Sequence, residues 1–114
     1  MDKIKEGYKV EYNGNIYTIE SIITHPETFV ESIIIKNNNE SFCLEQNDSA
    51  IKYLDEIDKS CILMGDTVLY EDKKYKVEIK MPSSTIGEYF YVLTNETNQY
   101  VEVSPHNSNK IIKL

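Results

Sequence analysis

Nineteen carboxylates, nine tyrosines, two histidines and two cysteines are the side chains with which this chain of 114 residues could do chemistry. Hydrolysis would need a nucleophile, a base and a third group to orient the base. The imidazoles are His25, in "THPE", and His106, in "SPHNS", and neither stands beside a nucleophile motif. His25 reads as a solvated loop residue and His106 as part of a polar corner. Together with Cys43 and Cys61 they are scattered along the chain without the paired ligand spacing of a zinc site. Cys43 lies among apolar neighbours and is expected to be buried filling. "NNNESF" and "QNDSA" carry oxygen ligands but lack the glycine and acidic periodicity of a calcium loop. Walker and Rossmann glycine patterns are missing as well. The expectation is a protein without catalysis, metal or cofactor.

Charge carries more information. The formal net charge is -7, and it is unevenly divided: residues 1–57 hold eleven acids against five lysines, residues 58–114 eight acids against seven. Arginine, the side chain best fitted to bidentate contacts with phosphate and guanine, does not occur. Nucleic acid is therefore a disfavoured partner, although Lys73, Lys74, Lys76 and Lys80 form a group that could touch phosphate. Strand alternation sends Lys74, Lys76 and Lys80 to the solvent side, where lysines commonly mark ordinary exposed surface. The acidic first half points instead to another protein with a basic surface, with Glu11, Glu20, Glu27, Glu31, Asp55, Glu56 and Asp58 as the candidate contacts. No run is long and apolar enough to span a bilayer, and "MDKIKEGYKV" lacks the apolar core of a signal peptide, so a cytoplasmic location without membrane attachment is expected. Oligomeric state leaves no trace in the sequence.

The elements that must position these groups are written twice. "GYKVEYNGNIYTI" begins at Gly7 and "GDTVLYEDKKYKV" at Gly65, so that Val10 falls on Val68, Tyr12 on Tyr70, Tyr17 on Tyr75 and Ile19 on Val77. Alternation of apolar and polar residues predicts a strand in each copy, then a turn at "NGN" or "EDKK", then a second strand that carries Tyr17 and Ile19 or Tyr75, Val77 and Ile79. Pro26 and Pro82 mark the following loops. A third strand is predicted in "FVESIIIK" and "YFYVLT", a fourth in "SFCLE" and "YVEV", and a fifth in "AIKYL" and "KIIKL" after a polar corner. By then the offset between copies has grown from 58 to 60, as insertions in loops would produce.

Five short strands, a longer loop after the second and a compact corner before the fifth resemble the SH3-like barrel of Tudor and KOW modules. The resemblance implies an all-β protein of two tandem five-stranded SH3-like barrels, over residues 1–57 and 58–114. The apolar Ile57, Ile62 and Met64 at the junction, which a flexible tether would not need, predict that the two marginal units pack on each other near these residues. One larger antiparallel barrel or sandwich built from both halves is the alternative. The phrase "GDTVLYEDKKYKV" is also similar to the openings of small proteins from phages and low-GC bacteria. On these grounds the expected function is a protein-interaction module, in its sharpest form a phage-encoded inhibitor that binds a basic surface of a bacterial defence complex such as a CRISPR effector. A KOW- or Tudor-like module that binds nucleic acid, a ribosome or a methylated-lysine peptide is the second expectation. Nine tyrosines could supply a cage for a methylated cation, but tyrosine is also a common filler of small barrels.

Overall fold

The computed structural model describes residues 4–114, which divide into two compact units, residues 4–61 and Ile62–Leu114. In the first, β1 (Tyr8–Tyr12), β2 (Asn15–Thr24), β3 (Glu31–Lys36), β4 (Ser41–Glu45) and β5 (Ile51–Ile57) form one antiparallel sheet in the order β4-β3-β2-β1-β5. The second contains β6 (Thr67–Tyr70), β7 (Lys73–Pro82), β8 (Tyr89–Thr94), β9 (Tyr100–Val103) and β10 (Ile112–Lys113), ordered β10-β6-β7-β8-β9. Read from the opposite edge, that is the order of the first sheet. The all-β expectation of two five-stranded assemblies therefore holds. Among the described residues, no helix is long and apolar enough to cross a membrane.

The sequence repeat is a repeat of backbone geometry. Gly7 and Gly65 have φ of 89° and 92°, a region that only glycine enters freely, and each donates its N–H at 2.8 Å to the carbonyl of Ile19 or Val77. At the first hairpin of each unit two successive residues have positive φ, Asn13 and Gly14 in one, Glu71 and Asp72 in the other. Both turns thus have the twist that two-residue hairpins require, but only the first has the residues that adopt it without strain.

Period-two alternation buries one face of each sheet. In the first unit Val10, Tyr17, Ile19, Ile33, Ile35 and Ile51 form the core, flanked by partly buried Tyr12, Phe42, Leu44 and Tyr53. In the second, Val68, Tyr75, Val77, Tyr91, Leu93 and Ile111 are buried at the matching places. Each large side chain so removed from water contributes about 1.5–3 kcal/mol, which is what such small sheets have to set against chain entropy.

Besides a slip between Tyr8 and Val10 in the β1–β5 pairing, regular pairing fails at one equivalent place in both units. The β2–β3 pairing slips between Ile19 and Ser21, and the β7–β8 pairing between Val77 and Ile79. Such a bulge adds one residue to a strand and reverses the facing of everything beyond it. As a result Ile79, expected in the core, is 40% exposed, and Lys80, expected in solvent, is turned inward. Lys80 stands 4.8 Å from the centre of the Tyr89 ring and its Nζ donates to the Ile62 carbonyl at 2.8 Å.

Three further expectations need correction. Phe29 and Val30 lie before β3 and not in it; Phe29 has a φ of 56° and caps a turn in which its N–H bonds the His25 carbonyl. Cys43 is exposed because β4 is an edge strand with an open outer face, whereas Cys61 is buried. The polar corner expected before β10 is present, as a 3-10 turn, Pro105–Lys110, with Pro105 fixing its first φ. The segment 58–61 belongs with the first unit: the Asp58 N–H bonds the Gly7 carbonyl at 2.7 Å. Ile57 and Met64 are both more than half exposed.

Candidate interaction surface

The seven acids singled out by charge do not form one patch. Asp55 and Glu56 end β5, an edge strand that pairs with β1 alone, and both are exposed. Glu27 is exposed in the loop between β2 and β3. None of these three has an ion-pair or hydrogen-bond partner for its carboxylate among the described residues. Glu11 is half-buried in β1, placed by register between Lys52 and Ile16, where an opposite charge across the strand is favourable. Glu31 is half-buried at the start of β3, and its carbonyl accepts the Gln46 N–H.

Glu20 and Asp58 are engaged within the fold. Glu20 occupies the bulge and accepts the Cys61 thiol at 3.5 Å. Asp58 accepts the Thr18 hydroxyl at 2.5 Å on one carboxylate oxygen, and the hydroxyl and N–H of Ser60 at 2.6 and 3.0 Å on the other. Partial burial opposes ionisation of Asp58, but the hydrogen bonds from Ser60 and Thr18 and the nearby Lys9 charge outweigh it and hold the carboxyl below its ordinary value. These two acids serve the first unit and are not free for a partner.

Charge counting overlooked two other carboxylates. Glu40 accepts the hydroxyl of buried Tyr17, and Glu6 accepts the Ile22 N–H at 3.2 Å. The hydrogen bond to Glu40, then burial, then the Glu40 charge push the Tyr17 hydroxyl above its ordinary value. Glu40 lies in the "NNNE" turn, and nothing in that string shows that it reaches a tyrosine in β2. Around Tyr17 the rings of Tyr12 and Phe42 complete a triangle with centroid separations of 5.4 to 6.3 Å, each pair edge-on. Rings so close fill the space that a methylated ammonium would need between them, and this is the geometry of core packing.

The remaining chemical groups stand apart. His25 is exposed and its Nε2 lies 3.1 Å from the Ser32 hydroxyl, with no carboxylate to orient the ring among the described residues. His106 is exposed in the 3-10 turn. Among the described residues, no cluster of three or more His, Cys, Asp or Glu is placed to hold a metal ion. No family model matches the chain, and no match is found among curated proteins or solved structures.

Proposed function

We propose that this protein is a non-catalytic interaction module whose first unit docks through exposed carboxylates on the basic surface of another protein. The observation that carries the reading is that Glu27, Asp55 and Glu56 are exposed, with no partner for their carboxylates among the described residues, on the half of the chain where acids outnumber lysines eleven to five. Unpaired charge of one sign steers encounter with an opposite surface and penalises like-charged competitors. Asp55 and Glu56 also sit on an edge strand of their sheet, the kind of strand to which another chain can add its own. A strand order in which the fifth strand returns to the first supports the SH3-like reading of each unit. The narrower form is a phage-encoded inhibitor that occupies a basic nucleic-acid channel in a bacterial defence complex such as a CRISPR effector, a role that a small acidic chain suits.

Capture from a bacterial host lysate, with and without nuclease, tests this reading. A protein partner should be retained after nuclease treatment and lost when Glu27, Asp55 and Glu56 are all changed to Lys. Retention undiminished by that triple substitution would dismiss the acidic surface as the contact. One observation favours a second reading, a KOW- or Tudor-like module for nucleic acid: Lys74 and Lys76 are exposed on β7 with no partner among the described residues. Salt-sensitive retention on heparin or mixed oligonucleotides would support it.

A further inference from the structure

The outer faces of the two sheets carry the same three-strand row with its residue types exchanged. In the first unit Thr18 of β2 pairs with Lys9 of β1 and Lys36 of β3, giving Lys–Thr–Lys. In the second, Lys76 of β7 pairs with Thr67 of β6 and Thr94 of β8, giving Thr–Lys–Thr. The first row holds a carboxylate: Thr18 donates to Asp58, and Lys9 favours the ionised form. Beside the second row is a cavity of about 590 Å³, lined by Thr67, Lys74, Lys76 and Thr94 together with Tyr75 and the turn Asn95–Thr97.

Two local differences explain the opening. In the first unit the turn after β3 is tied down by Asn37, whose side-chain amide donates to the Ile16 carbonyl at 3.2 Å. Its counterpart Asn95 donates instead to Gln99 at 3.0 Å, within a turn one residue longer. The position of Ile16 is taken by Lys74, which adds a second cation to the same face. Neither lysine has an ion-pair or hydrogen-bond partner among the described residues, and the single acid in the lining, Glu96, pairs with neither.

We infer that this cavity binds an oxyanion, the carboxylate or phosphate group of a small ligand. The ammonium groups of Lys74 and Lys76 supply charge, and the hydroxyls of Thr67 and Thr94 lie in the same row as donors. Because the cations are exposed and the whole chain is anionic, weak affinity is expected. The site lies in the opposite unit from the acids of the proposed docking surface, so the two readings stand or fall separately.

The test is a titration of the isotopically labelled full chain with sodium glutarate and, separately, with sodium phosphate, at ionic strength fixed by sodium chloride. Amide shifts are followed at Thr94–Thr97. Saturation by either probe is expected, with at least a tenfold weaker response in the Lys74→Gln/Lys76→Gln double variant. Glutarate or phosphate acting alone names the source of the oxyanion. Both lysines are exposed, and an unchanged melting temperature will show that the double variant folds. Shifts that sodium chloride reproduces, shifts that persist in the double variant, or shifts produced only by an oligonucleotide would overturn the inference.

Discussion

At one three-strand row the first unit sets a threonine between two lysines and binds the Asp58 carboxylate on it, whereas the second sets a lysine between two threonines, although the two sheets share their strand order and the bulge between second and third strands. The agreement extends to the positive φ of Gly7 and Gly65 and to the inward-facing apolar set. The units differ in side chains on the outer face, in a one-residue change in the turn after the third strand, in the 3-10 turn before β10 and in the length of the last strand. The inner face is thus held in common, while the outer face and the later turns are left to vary. Function is to be sought in what varies.

The largest effects should fall equally on both units. Ile35 and Leu93 are fully buried at matching positions of β3 and β8. Ile35→Ala and Leu93→Ala are each expected to cost about 2–5 kcal/mol, through lost burial and an incompletely collapsed cavity. Amide hydrogen exchange after each substitution should show protection falling first in the unit that carries it. A loss below about 1 kcal/mol at either site would break the equivalence of the two cores.

Asp58 should separate the units. Its carboxyl is held below its ordinary value of 3.8, so the stability it confers is complete above that value and is lost as pH falls through the lower, folded value. Amides of β1 and β2 should therefore lose protection on acidification below pH 3.8, and Asp58→Asn should flatten that limb in the first unit while costing about 1 kcal/mol at neutral pH. An unchanged acid limb in the variant would mean that Asp58 is not the group responsible.

Much of this could be read from the sequence, for identifiable reasons. Each strand was marked by alternation that a partly buried sheet imposes, and the repeat made every assignment twice over. The growth of the offset to 60 matched the buried Ile51, which opens β5, with the buried Ile111, which stands just before the shorter β10. The bulges were not legible, because "VEIKM" alternates as well as any regular strand, and the extra residue is revealed only by pairing with β8. The surface suffered in the same way. Asp58 and Glu20 carry the same formal charge as Asp55 and Glu56, and only the fold shows that two are engaged and two are free. The exchanged rows were hidden because cross-strand neighbours are far apart in the chain.

A smaller effect concerns the first hairpin of each unit. Glu71 and Asp72 hold φ of 51° and 63° without being glycine, and a left-handed conformation costs an ordinary residue about 1 kcal/mol. Glu71→Asn with Asp72→Gly should recover about 1 kcal/mol in the second unit, as Asn13 and Gly14 already do in the first. Chemical denaturation would show a higher midpoint at an unchanged slope. No gain would mean that the acidic pair makes contacts of its own that offset the strain.

The smallest expected effect is the sharpest check on the bulge. If β7 alternated strictly beyond Val77, Ile79 would point into the core and Ile79→Ser would cost the 2–5 kcal/mol of a large buried side chain. With the extra residue in place, Ile79 instead faces outward beside Val92 and is 40% exposed. The substitution should then cost less than about 1 kcal/mol. Lys80→Ser should cost at least as much, since it removes a cation from the Tyr89 ring and a donor from the Ile62 carbonyl. A reversal of that order in equilibrium denaturation would put Ile79 back in the core and deprive the two sheets of their most specific shared feature.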